Sequence, residues 1–306
     1  FIDSNLTYQQ IDSQLIGTLN ISISFENIHT KQKNELSWKH INTKPFSDTV
    51  NIYNLYGVKK ILLTPAEYRV STSAYDSLNL DNNALDKASI NIRNFSTKSI
   101  SLSSIEFAHQ IEDASNIDKN AAQSFIKGNY YILPNATGEY SSDDPNLPIY
   151  FEIYNAKSLS PNGIKINITI LDGAQREVNK SFVNTTPKSD AFSEIFSIPL
   201  NLLPTGLYYL KIELQDINNE TIIYDTQIKK FYYFNKLSKL VNYSGFTEDQ
   251  LFEMSEFATL SFDDVEAEFK QAKAIANNYE IEQWSKLTDL KAKQRFLYRF
   301  WKIRDS

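Results

Sequence analysis

Cysteine is absent from the 306 residues, glycine and proline are scarce at 8 and 9, and there are only three histidines and one methionine. Without cysteine there are no disulfides, no thiol chemistry and no cysteine-bearing metal site, although this leaves the compartment open. No apolar run approaches the roughly 18 residues that a membrane-spanning helix needs, so no transmembrane helix is expected. The net charge of −6 comes with no basic stripe, which argues against a nucleic-acid partner. His29, His40 and His109 sit in separate strand-like segments without carboxylates at ligand spacing, so no metal site is expected. Asp81, Asn83 and Asp86, like Asp143 and Asp144, lack the spacing and glycine of a calcium loop and read as turns. A nucleophile elbow, a phosphate-cradling glycine loop and a His-Glu-x-x-His pair are missing together, so neither catalytic residues nor a cofactor are expected.

What the chain has is 18 Tyr and 19 Phe among many Ile, Thr, Asn and Ser, residues that suit pleated, half-buried surfaces and their turns. In "LIGTLNISISF", Leu19, Ile21, Ile23 and Phe25 share one face and Asn20, Ser22 and Ser24 the other, the pattern of a half-buried antiparallel strand. Similar runs at "ELSWKHI", "TVNIYNLY", "EYRVSTSAY", "ASINIRNF" and "ISLSSIEFAHQI" predict a β-sandwich over 12–115. The polar stretch 112–124 reads as a linker. A second run of strands predicts an immunoglobulin-like sandwich over 125–236. Leu203, Gly206 and Tyr208 there resemble the tyrosine corner of such folds, with Tyr208, Leu210, Ile212 and Leu214 facing inward. The fold class is mainly β: two immunoglobulin-like antiparallel sandwiches followed by a small α-helical C-terminal region, 245–306.

In that last region Thr247 with Gln250 forms a capping box, and Phe262, Val265, Phe269, Ala272, Ala276 and Tyr279 recur as one apolar stripe. In the closing helix, Leu290, Phe296, Leu297, Phe300 and Ile303 make the apolar face, opposite Lys291, Arg295, Tyr298 and Lys302. Such a helix can lie on a membrane surface or bind a partner groove; the matching stripe of the preceding helix favours a small bundle, with the basic stems over apolar surface.

"WSKL" followed by "KAKQRFLYRFWKIRDS" resembles the front of the bacterial family named for its Gly-Trp-x-Thr-Asp motif (GWxTD), in which a helix ends in Phe-Trp-x-x-Arg-Asp-Pro. Phe300, Trp301, Arg304 and Asp305 match; Ser306 stands where the family has Pro, and the naming motif is absent. The resemblance implies an exported envelope protein of Bacteroidetes-like bacteria, often a lipoprotein, with no established reaction. The expectation is a gene that continues past Ser306, and the opening "FIDSN" is compatible with a removed leader or a lipid-anchored cysteine upstream of Phe1. The expected role is a non-enzymatic structural or interaction protein of the periplasm or outer membrane of a Gram-negative cell. Phe296, Phe300, Trp301 and Arg304 are then the residues expected to meet an envelope partner or the missing C-terminal segment, with exposed apolar surface concentrated on the helices. One alternative is glycan binding on aromatics such as Trp38 or the tyrosines of "NIYNLYG"; another is an enzyme with a site assembled across domains.

Overall fold

The computed structural model describes residues 6–46, 57–117, 123–236, 247–253, 255–273 and 275–304. They fall into two compact units, Phe1–Asn94 and, apart from Ser261–Asp263, Phe95–Ser306. The chain is mainly β, in antiparallel sheets, with helices at its C-terminal end.

The first unit holds one five-stranded sheet built from β1 (Gln9–Ile11), β2 (Gln14–Asn27), β3 (Lys33–Pro45), β4 (Ala66–Asp76) and β5 (Asn83–Ile92). β2 is central: β3 lies along one edge, and β1 then β4 along the other, with β5 outermost. The two-residue alternation puts Leu19, Phe25 and Tyr68 on one face, where they are buried, beside half-buried Ile21, Ile23 and Trp38. The predicted strand "TVNIYNLY" lies outside the described residues.

The second unit is a sandwich. One sheet runs β10 (Glu139–Ser141), β16 (Ile223–Phe234), β15 (Gly206–Asp216), β12 (Ile164–Asp172), β13 (Glu177–Thr185). The other runs β14 (Ala191–Pro199), β11 (Asn146–Tyr154), β7 (Glu106–Asp113), β9 (Tyr130–Pro134), β8 (Ile126–Lys127), with β6 (Ser101–Leu102) also on β11. Phe107, Phe151 and Ile153 from the second sheet meet Ile166, Leu210, Ile212 and Phe231 from the first in a single core. This strand order, with the short β10 parallel to β16, is that of an immunoglobulin-like fold. Two side chains of β16 tie β6 and the segment after it to that strand: Asp225 Oδ2 accepts from the Leu102 amide at 2.8 Å, and Lys229 Nζ donates to the Ile105 carbonyl at 3.0 Å.

The predicted domain limits of 12–115 and 125–236 therefore shift. Ile100, Leu102, Ile105 and Phe107 belong to the second unit's core, and Leu102 and Phe107 pair with Ile153 and Ile149 of β11, so the second unit begins in sequence at Phe95. Alternation identifies a strand but not its partner, and the polar stretch after it passed for the boundary.

The tyrosine corner is present: Tyr208 Oη donates to the Pro204 carbonyl at 2.8 Å. It recurs in the first unit, where Tyr68 Oη donates to the Thr64 carbonyl at 3.0 Å. At matching spacing follow Asp76 and Asp216, each accepting the amide two residues on, and Asn79 and Asn219, each accepting through its carbonyl from the amide three residues on. The turns after β2 and β12 also match: Lys31 and Gln175 take positive φ values of 61° and 60°. β3-β2-β4-β5 thus repeats, strand for strand, β13-β12-β15-β16.

The corner gives an expected result. Tyr208→Phe leaves the Pro204 carbonyl without its donor and costs about 1–2 kcal/mol. Tyr233 Oη, buried in the same core, has no hydrogen-bond partner among the described residues, so Tyr233→Phe is neutral or stabilising by up to about 1 kcal/mol. Urea midpoints of the two variants check this; equal losses would refute the distinction.

The C-terminal α-helices are α1 (Glu248–Glu253), α2 (Phe262–Ala272), α3 (Asn278–Lys286) and α4 (Leu290–Arg304). The Thr247–Gln250 capping box forms, with amide-to-side-chain bonds of 2.9 and 3.2 Å. The single stripe from Phe262 to Tyr279 does not: a second capping box, Asn277 with Glu280, starts α3 afresh, and Phe262 and Tyr279 are exposed. Val265, Phe269 and Ala272 of α2, Trp284 of α3, and Leu297 and Phe300 of α4 make a separate helical core. Phe269 and Trp284 stack in it with centroids 4.1 Å apart and planes 7° from parallel.

Candidate functional site

Two concave surfaces bring together side chains with recognisable chemistry. The first lies between α3 and α4. Leu287, Ala292, Phe296, Phe300 and Ile303 line a groove of about 430 Å³ together with Arg295, Arg299 and Glu280. Of the four residues expected to meet a partner, Phe296 and Phe300 line this groove. Phe300 is buried in the helical core, and Phe296 is half-buried against Trp284 and Phe300. Arg304 turns back onto its own unit: its Nη2 donates to both carboxylate oxygens of Glu280 at 2.9 and 3.0 Å, and its guanidinium lies 3.6 Å from the centre of the Phe300 ring. Glu280 also accepts from the Asn277 amide, so one carboxylate joins the start of α3 to the end of α4. Trp301 packs edge-on to Phe300, with its indole N–H buried and lacking an acceptor among the described residues. Ile303, expected on the apolar face, is 71% exposed at the groove's edge. Its place inside is taken by Lys293, whose ammonium pairs with Glu266 and lies 4.8 Å from the Trp284 ring centre.

The second surface lies at the edge of the sandwich where the chain passes from β9 to β10. A depression of about 490 Å³ is lined by His109 of β7, Glu139, Tyr140 and Ser141 of β10, Asp144, and Tyr232 and Phe234 of β16. Parallel pairing puts Glu139 beside Tyr232 and Ser141 beside Phe234. The intervening Tyr140, Phe231 and Tyr233 point into the core, so these four face outward. His109 is the extra residue of a β-bulge between Ala108 and Gln110; bulges re-aim side chains. Tyr140 Oη fixes it by donating to the Ala108 carbonyl at 3.0 Å. Burial lowers the His109 pKa, and the Asp144 carboxylate opposes that shift. Asp144 is held by the turn in which its amide donates to the Ser141 carbonyl at 3.2 Å.

The sequence signal for this second surface was in "KKFYYF", where aromatic residues fall on both faces of one strand and the outward pair has no core to enter. The bulge that aims His109 leaves no such signal.

The remaining candidates stay apart. His29 and His40 lie on the first unit's sheet or its turns, and burial lowers the pKa of His40. Trp38 is half-buried, with the Lys59 ammonium 5.4 Å from its ring centre; Tyr53 and Tyr56 lie outside the described residues. Asp81 and Asp86 are exposed turn and strand residues, and Asp143 pairs with Lys236 at 2.6 Å. Among the described residues no group of three or more histidines and carboxylates is arranged to hold a metal. No described helix is long and apolar enough to cross a membrane. Exposed large apolar side chains do not concentrate on the helices; Leu62, Leu80 and Leu202 of the β units are about as open as Tyr279 and Ile303, or more so.

The chain matches no family model and no curated protein. Among solved structures it is similar to a Bifidobacterium dentium β-glucuronidase complexed with coumarin-3-O-glucuronide, at 10% identity over 74% of this chain and 38% of that one, TM-score 0.26. It is also similar to a DUF3823 family protein from Bacteroides ovatus (11% identity, 74% and 96% coverage, TM-score 0.26) and to chicken CNTN1 FN1–FN3 domains (8%, 75% and 66%, TM-score 0.21). The chain spans little more than a third of the glucuronidase, and likenesses at these scores assign neither activity nor ligand.

Proposed function

We propose that this chain is a non-enzymatic interaction protein of the bacterial cell envelope, in which immunoglobulin-like β modules carry a helical unit that docks on an envelope protein. The observation that supports this reading most is the groove between α3 and α4. Its lining is mostly apolar, although Glu280, Arg295 and Arg299 belong to it, and it joins the firmly packed Phe300 to the exposed Ile303. A groove of that form accepts the apolar side of a partner helix. The resemblance of the closing helix to GWxTD-type proteins agrees with an exported, membrane-associated setting.

The test is site-specific photocrosslinking in a native membrane fraction. A photoreactive phenylalanine analogue at Ile303 is expected to give one dominant adduct with an envelope protein, and Phe296→Asp is expected to abolish it. The same analogue at Lys87, an exposed residue of β5, is expected to give none. Equal labelling from both positions, or an adduct indifferent to Phe296→Asp, would defeat the proposal.

A further inference from the structure

We infer that the depression beside β10 and β16 is a binding site for a neutral saccharide, independent of docking at the helical groove. Three properties converge on that ligand class. First, the wall formed by Tyr232 and Phe234 is aromatic and outward-facing, with Phe234 48% exposed. An aromatic ring carries negative charge density on its face, and the axial C–H groups of a pyranose present the complementary apolar, weakly positive surface. Two rings alternating along one strand lie roughly 6.5–7 Å apart, twice the rise per residue, close to the length of one sugar unit.

Second, the polar groups around that wall suit hydroxyls. The carboxylates of Glu139 and Asp144 accept hydrogen bonds, the Ser141 hydroxyl donates or accepts, and the His109 imidazole lines the depression beside them. Hydrogen bonds from a hydroxyl to a charged group are the stronger kind. The Asp143 carboxylate is paired with Lys236, and Asp144, whose Oδ1 accepts from Asn146 Nδ2 at 3.2 Å, forms part of the depression. With two carboxylates and no lysine or arginine among its described lining residues, the depression disfavours uronates, sulfated sugars and phosphorylated ligands and admits uncharged ones.

Third, the site is preorganised. Glu139 and Ser141 are held by parallel pairing to β16, the bulge carrying His109 is fixed by the Tyr140 hydroxyl, and Asn135 accepts from the Gly138 amide at 2.9 Å through Oδ1 while its Nδ2 donates to the Glu139 carbonyl at 2.8 Å. A volume of about 490 Å³ is within the range of small-ligand sites. The glycan-binding expectation placed on Trp38 thus moves to a different unit and to aromatics that face outward.

Saturation-transfer NMR and calorimetry on the whole chain with cellohexaose, xylohexaose, mannohexaose and tetragalacturonate test this. At least one neutral hexasaccharide is expected to bind, with transfer strongest on ring C–H protons. Phe234→Ala and Asp144→Asn are each expected to weaken binding about tenfold or more, and both sites are exposed enough to leave the fold intact, which unchanged circular dichroism verifies. Trp38→Phe is expected to leave binding unchanged. No binding of any neutral hexasaccharide, preference for tetragalacturonate, or binding insensitive to Phe234→Ala would overturn the assignment.

Discussion

Phe231→Ala lowers the stability of the second unit by about 3–5 kcal/mol, as expected of a buried phenylalanine replaced where the surroundings cannot collapse. Phe231 is 1% exposed and sits where the two sheets meet. Its ring stacks on Tyr208 at 5.6 Å and meets Phe107 and Tyr140 edge-on at 6.0 and 6.3 Å. These contacts join four strands: β16 and β15 of one sheet, β10 at that sheet's edge, and β7 of the facing sheet. Removing the ring leaves a void bordered by aromatic rings that cannot bend into it, and each ring loses a partner worth about 0.5–1.5 kcal/mol beyond area burial. Hydrogen exchange read by mass spectrometry locates the loss. Amides of β15 and β16 are expected to exchange faster while those of β2 in the first unit keep their rates. A change below about 1 kcal/mol, or one spread equally over both units, would contradict a core centred on this ring. Because Tyr140 and the bulge at His109 rest on the same cluster, the variant is also expected to weaken the depression beside β10.

Strand identity was legible because it depends only on local period. Leu19, Ile21, Ile23 and Phe25 alternate, and the structure puts them on one face of β2; Tyr208, Leu210, Ile212 and Leu214 are all buried. The tyrosine corner was legible for a similar reason, since its hydroxyl reaches a carbonyl four residues back. The repeat between the units was legible in principle, in "LLTPAEYRVSTSAYDSLN" and "LLPTGLYYLKIELQDINN", because each stretch encodes the same corner and the same turn. What depends on distant partners was not. β6 and β7 look like their predecessors, and only pairing with β11, dozens of residues on, assigns them to the second unit. The depression beside β10 combines residues from β7, β10 and β16, so no window of sequence contains it. The role of Arg304 depended on Glu280, a capping residue of another helix.

The closing helix gives the sharpest case and the second large effect. Phe300→Ala is expected to cost about 3–5 kcal/mol in the helical unit, and Ile303→Ala to stay within about 0.5 kcal/mol, although the helical period assigned both to one apolar face. In α4 the buried residues are Lys293, Gln294, Leu297 and Phe300, a stripe rotated away from Ile303. Burying Lys293 is tolerable because Glu266 neutralises its ammonium while the stem lies on Trp284, and Gln294 Nε2 donates to the Leu260 carbonyl at 2.6 Å. With those two polar residues satisfied inside, the helix presents Leu297 and Phe300 to the core of Val265, Phe269, Ala272 and Trp284, while Phe300 keeps its contacts along the helix with Phe296, Trp301 and the Arg304 guanidinium. Truncating Phe300 therefore removes core volume and also the surface on which Arg304 rests as it reaches Glu280. Thermal unfolding followed by tryptophan fluorescence reads both variants, since Trp284 and Trp301 lie in the helical core. Comparable losses from Phe300→Ala and Ile303→Ala would mean that the helix is rotated relative to this account, and would also remove Ile303 from the edge of the docking groove.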